Sequence, residues 1–253
     1  MLTLYEFGIS PFGQKVKIAL REKGVPFERR NAFENRDALR GANRRAELPL
    51  LVDGEVEVSE STIILDYIDE KWPEPPLMPA DPAARAEARH VEELCDTQLE
   101  ALIFGLAEMR FFPVGEEAAE KAIAAYAAQD IKRIYADLEE ALGDRDYFGG
   151  DSIGRADCAA FPHLNTARSM KIAPPSERLE AWLQRMKTRD SVAETVKEAR
   201  ESVAAFQAMV GEAQKGAARR QFRDHRLDWF VRAGGWPILS KRIEAGNVRF
   251  AVE

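Results

Sequence analysis

Apolar positions change period early in this chain. Leu2 to Phe7 alternates weakly, as a half-buried strand does, and Gly8 to Gly13 carries turn residues around Ser10-Pro11. Val16, Ile18, Ala19 and Leu20 then follow a helical pattern, with Lys15, Lys17, Arg21 and Lys23 as its charged face and Gly24 as its stop. Val25 to Glu28 restarts as extended chain, so the strand-helix-strand order predicts two parallel neighbours. A looser segment, Asn31 to Ala46, holds one expected short helix near Arg36 to Gly41. Leu50 to Val58 reads as two strands around an Asp53-Gly54 hairpin signal. A second helix starts at Ser59 and carries Ile63, Ile64, Tyr67 and Ile68 up to Trp72-Pro73.

The run Pro73 to Pro79 cannot propagate a helix and predicts a domain boundary. Beyond it strand signals almost vanish. Asp81-Pro82 is an N-cap and first-turn pair opening a long helix from Ala83 to Phe112. A second runs from Glu116 to Leu142, with Ile123, Tyr126, Ile131, Ile134, Leu138 and Leu142 near helical spacing. Another contains Ala156 to Lys171, and Leu179, Trp182, Leu183 and Met186 share one face of the next. In the segment 211–253, Phe222, Leu227, Trp229, Phe230, Val231, Trp236, Ile238 and Leu239 are too many large apolar residues for a disordered tail, so it is expected to fold back and bury them. The expected division is 1–76, 77–210 and an extension, 211–253, packed on the helical domain.

Composition fits a globular chain: 45% hydrophobic and 31% charged residues. No run approaches the ~18 consecutive apolar residues of a membrane span, and the N-terminus lacks the order of a secretory signal, so a cytoplasmic protein is expected. A net charge of −7 argues against nucleic acid or an anionic membrane as partner. Arg219, Arg220, Arg223, Arg226 and Arg232 are read as a solvated helix face, with a local anion site left open. Cys95 and Cys158 lack metal or redox spacing and are expected as buried free thiols, with no metal bound. His225 is expected in a structural role among the arginines.

Three local patterns carry chemistry. Ser10-Pro11-Phe12-Gly13-Gln14-Lys15-Val16 lies where the first strand hands over to the first helix, and unpaired N–H groups there stabilise an anion such as a thiolate. Ser10 either adds a hydrogen bond to that anion or only caps the helix. Glu60-Ser61 opens the second helix, where a hydroxyl and N–H groups suit a carboxylate and the acidic neighbour suits an ammonium. Leu48-Pro49 precedes a strand; a cis bond there would let the preceding backbone pair with an extended peptide, whereas trans is the commoner form.

In this order the patterns resemble the cytosolic glutathione transferase superfamily, serine type, over about the first 200 residues. Gly150 to Asp157 resembles the family's helix-capping motif, and Leu179 to Val192 its penultimate helix. The resemblance implies an α/β N-terminal domain with a thioredoxin-like mixed sheet, followed by an all-α C-terminal domain. It implies glutathione as co-substrate: Ser10 and Phe12 at the sulfur, Leu48 and Pro49 at the cysteinyl backbone, Glu60 and Ser61 at the γ-glutamyl end. Ser10 would be the catalytic residue, activating the thiolate for attack on a hydrophobic electrophile or a peroxide in detoxification, within a homodimer. Phe104, Met109, Phe111 and Phe112 are candidates for the acceptor wall, although aromatics at helical spacing belong to a core more often than to a cleft. The alternatives are glutathione-dependent disulfide reduction and a non-catalytic glutathione-binding scaffold. The usual capping Ser or Thr is replaced by Gly154, and no cysteine stands at Ser10, which counts against exchange through a protein thiol. Tyr5 precedes the position used by tyrosine-type relatives and is expected to point away from the site.

Overall fold

The computed structural model describes residues 1–32, 34–35, 47–172, 175–214 and 219–249; the short helix expected at 36–41 lies outside them. Strand β1 (Leu2–Glu6) pairs in parallel with β2 (Glu28–Asn31) and antiparallel with β3 (Leu50–Asp53), which pairs antiparallel with β4 (Val56–Ser59). The order β2-β1-β3-β4 makes a mixed sheet. Gly54, at φ 65, turns the hairpin in a conformation that glycine adopts without steric cost. All five residues of β1 are buried, against the half-solvated strand expected, because it has a strand on either side and its acidic end is neutralised: Glu6 lies 3.4 Å from Lys17 and 3.0 Å from Arg29.

Helix α1 (Pro11–Glu22) packs between α2 (Ser61–Lys71) and the helical half of the chain. Its lysine face is therefore not solvated. Lys15 and Lys17 are 0% exposed, and each is neutralised from across the fold: Lys15 by Glu92 at 2.6 Å and by Asp96, Lys17 by Glu198 at 3.0 Å. Lys23 meets Asp69 at 2.7 Å. Charges leave water only when paired in this way. Helix α2 begins at Ser61 rather than Ser59, and Ile63, expected on its apolar stripe, is exposed while Ile64, Leu65 and Ile68 are buried.

Asp81 caps α3 (Pro82–Glu93), accepting a hydrogen bond from Ala84 N at 2.8 Å. The rod continues through a π-helical stretch, Leu94–Leu99, into α4 (Glu100–Phe111). Then come α5 (Glu117–Leu142), α6 (Arg155–Ser169), α7 (Glu177–Lys187), α8 (Asp190–Glu201) and α9 (Val203–Gln214). Leu179, Trp182, Leu183 and Met186 are buried, each apolar side chain so placed contributing about 1.5–3 kcal/mol. Gly154 supplies no capping side chain to α6. Instead Asp157 accepts from the N–H groups of Gly154, Phe148 and Gly149 and from Trp182 Nε1, at 2.8–3.0 Å, tying three segments to one carboxylate.

The C-terminal segment folds back over α4. Strand β5 (Arg220–Gln221) pairs in parallel with β6 (Val248–Arg249), a pairing too short to leave a periodic signal, and α10 (Asp224–Arg232) and α11 (Trp236–Glu244) lie between them. Phe222, Trp229, Phe230, Ile238 and Leu239 are buried; Val231 and Trp236, expected inside, are exposed. The arginine run is not a solvated face either. Arg220 pairs with Glu108, Arg223 with Glu47 and Glu60, and Arg226 with Glu100; Arg232 remains at the surface beside Asp228.

Candidate active site

The β1–α1 turn is fixed by its own backbone. Ser10 N donates to Phe7 O at 2.7 Å, Ser10 O accepts from Gln14 N at 3.0 Å, and Gln14 Nε2 donates to Ile9 O. Pro11 fills the first helical position, where its missing N–H costs nothing, so the N–H groups of Phe12 and Gly13 head the helix. Gly13 presses against β1: a Cβ there would stand 3.0 Å from a Glu6 carboxylate oxygen. Ser10 occupies the N-cap, yet its side chain makes no capping hydrogen bond.

Phe12 faces the helical half. Its ring meets His163 edge-on at 5.4 Å, His163 Nε2 lies 3.2 Å from Asp96, and Asp96 binds Lys15. Burial alone would raise the Asp96 carboxyl, but the Lys15 ammonium and His163 outweigh it and hold it below the usual range. Asp96 belongs to the π-helical stretch, a form often found at functional positions.

Glu60 precedes α2 at φ 68 and ψ 117, a backbone conformation that costs a non-glycine residue of order 1–3 kcal/mol and clusters at binding sites. It places Ser61 at the head of α2, buried. The Leu48-Pro49 bond is cis.

A cavity of 250 Å³ gathers Phe12, Leu48, Glu60 and Ser61. Ser10 and Pro49 adjoin it in sequence without lining it. Residues that no local motif announced complete its wall: Thr62 of α2, Glu93, Asp96 and Thr97 from the helical rod, and Arg223, Asp224 and His225 from the C-terminal segment. Arg223 lies 163 positions from Glu60, so only the arginine cluster hinted at this part of the wall. His225 Nε2 lies 3.0 Å from Glu100, and Arg226 grips the same carboxylate; burial would raise Glu100, but the Arg226 guanidinium and the hydrogen bond with His225 bring it to about 2.

Three of the four candidates for the acceptor wall take the commoner place, in packed contacts rather than at the cavity. Phe104 packs against Phe222 and Arg226, Phe112 is buried beneath Arg220, and Met109 packs on the main core. Phe111 meets Phe206 edge-on at 5.4 Å, and Phe206 neighbours Phe7, just before the turn, at 6.5 Å. Cys95 and Cys158 are buried free thiols, pushed well above the ordinary thiol range by burial.

A mixed four-stranded sheet with a cis-proline before β3, joined to a helical bundle, defines a two-part fold with a cavity at the junction. Residues 4–76 match the family described as glutathione S-transferase, N-terminal domain, and residues 94–190 match its C-terminal domain. The chain is 34% identical over 217 residues to glutathione S-transferase U22 of Arabidopsis thaliana, covering 80% of this chain and 93% of the relative. It shares 31% identity and a TM-score of 0.63 with rice GST1 (OsGSTU1) in complex with glutathione, over 83% of this chain and 98% of that one. FzlA from C. crescentus aligns at 26% identity and a TM-score of 0.67, over 78% and 92%. This chain belongs to the glutathione S-transferase family. Neither family domain reaches beyond residue 190.

Proposed function

We propose that this glutathione transferase binds glutathione with its γ-glutamyl end at Glu60 and Ser61, its cysteinyl backbone along Leu48 and Pro49, and its sulfur at Ser10 beside Phe12. The observation that carries the reading is Ser10 itself, an N-cap serine whose side chain does not cap. A thiol of pKa about 8.5 becomes mostly thiolate at neutral pH if its pKa falls by about two units, which takes ~2.7 kcal/mol. One hydrogen bond to an anion contributes about 1.5–3 kcal/mol and a helix N-terminus about 0.3–1, so turn and serine together supply a stabilisation of the size required. The thiol proton goes to solvent. The sulfur then forms a bond to an electrophilic carbon, whose leaving group departs with its electron pair, or it attacks a peroxide oxygen: the O–O bond breaks, the leaving oxygen takes a proton and departs as alcohol or water, and the glutathione sulfenic acid so formed reacts with a second glutathione to give glutathione disulfide and water.

The row of rings from Phe7, just before the turn, through Phe206 to Phe111 supports a hydrophobic acceptor, as in detoxification. The burial of both cysteines weighs against a route through a protein thiol. A cytoplasmic homodimer is part of the same proposal; it agrees with the absence, among the described residues, of any helix long and apolar enough to cross a membrane, and with the frequency of twofold association. The test is a panel of conjugation, peroxidase and disulfide-reductase assays with glutathione. Conjugation or peroxide turnover is expected. Reductase activity alone, or glutathione binding with no turnover in any assay, would replace this reading by reductase or scaffold.

A further inference from the structure

The glutathione cavity is roofed by a segment that lies outside both matched family domains. Arg223 is the N-cap of α10, and its Nη2 stands 2.8 Å from Glu47 and 3.3–3.4 Å from both oxygens of Glu60. The shorter contact is the stronger, so Glu47 is the anchor and Glu60 the looser partner. The side chain is also preset from both directions. Phe222 is buried against Phe104 on one side, and on the other Arg226 holds Glu100.

Among the described residues, Glu60, Glu93, Asp96 and Asp224 line the cavity with Arg223 and the imidazole of His225, and Asp96 is already held by Lys15. Glutathione carries one ammonium and two carboxylates. Glu60 suits the ammonium, but the α-carboxylate beside it stands close to Glu60 itself, where Ser61 and the head of α2 offer neutral donors. A guanidinium supplies a full charge and several N–H groups in a planar fork matched to a carboxylate.

We propose that Arg223 is a specificity-determining residue that reads the α-carboxylate of the γ-glutamyl end: the incoming ammonium takes Glu60, and the guanidinium, still anchored on Glu47, turns its remaining donors to the carboxylate. The C-terminal segment thus completes the amino acid subsite. This rests on the placement of that end at Glu60 and Ser61 proposed above.

Calorimetry separates the possibilities, using glutathione, γ-aminobutyryl-cysteinylglycine, which lacks the α-carboxylate, and glutaryl-cysteinylglycine, which lacks the ammonium. Each is titrated into the wild-type chain, Arg223→Gln and Arg223→Lys, with circular dichroism confirming the fold. Arg223→Gln is expected to weaken glutathione and the glutaryl analogue at least about tenfold while leaving the decarboxylated analogue within about twofold, and Arg223→Lys to recover part of the loss. Equal or tighter glutathione binding by Arg223→Gln would overturn the proposal and make Arg223 a competitor for Glu60. An equal loss for all three ligands would also overturn it, leaving a structural role. If wild-type protein binds no glutathione, the placement of the ligand falls as well; wild-type binding with an indifferent Arg223→Gln removes only this role.

Discussion

Lys15 of the first helix and Glu92 of the helical rod lie 2.6 Å apart, both side chains almost wholly buried. Asp96 takes the same ammonium, Arg155 takes the other oxygen of Glu92, and Thr62, next to Ser61, lies 3.4 Å from Lys15. The pair therefore ties the head of α2, and with it the cavity floor, to the helical half.

Lys15→Met should destabilise the fold by about 3 kcal/mol, at the lower end of the range for breaking a buried pair, because Arg155 and His163 still serve the two carboxylates. Urea denaturation measures it. A loss under about 1 kcal/mol would mean that the carboxylates find water or protons readily.

Asp157→Ala removes the acceptor for three backbone N–H groups and the Trp182 indole. A cost of about 4 kcal/mol is expected, with a fall in Tm on the order of 10 °C. Thermal unfolding with Asp157→Asn as the intermediate case checks it; equal melting of Ala and Asn variants would contradict the account of the carboxylate as a joint.

Legibility in the sequence followed the range of each interaction. The Asp53-Gly54 hairpin, the Asp81 cap and the stripe of Leu179, Trp182, Leu183 and Met186 depend on neighbours a few residues away, and they were readable. Lys15 and Lys17 read only as the charged face of a helix, because nothing nearby reveals Glu92 or Glu198, 77 and 181 positions further on. The site split the same way. Phe12, Leu48, Glu60 and Ser61 stand in local motifs, whereas Arg223 and His225 reach the cavity only because the C-terminal segment folds over α4. The π-helical stretch carrying Asp96 has no compositional mark.

Glu100 should make stability acid-sensitive. Its carboxyl falls from 4.5 to about 2 on folding, against its burial, because Arg226 and His225 favour the charged form. A depressed carboxyl adds stability that is complete above the ordinary value and lost as pH falls toward the folded one. The advantage of wild type over Glu100→Gln should therefore hold above about pH 4.5 and shrink toward pH 2. Unfolding free energies measured across that window give the answer; a constant difference would show that the pair contributes no charge.

Gly105 lets Trp229 lie against α4, where an added Cβ would collide with the indole ring. Gly105→Ala should loosen α10 and speed proteolysis of the C-terminal segment, while Gly211→Ala, where a Cβ meets nothing, should not. Equal cleavage of both variants would contradict the contact's importance in seating that segment.

The central claim is that Ser10 stabilises the thiolate of bound glutathione, and thiolate absorbance titrated against pH for wild type and Ser10→Ala tests it most directly. Replacement should cost about 1.5–3 kcal/mol, seen as an upward shift of one to two pH units in the titration and roughly a ten- to hundredfold loss of turnover at neutral pH. The rate loss should shrink above the free thiol's pKa, where the anion forms unaided, with glutathione affinity at neutral pH little changed. Superimposable titrations would contradict the claim and leave Ser10 a structural residue at the head of α1.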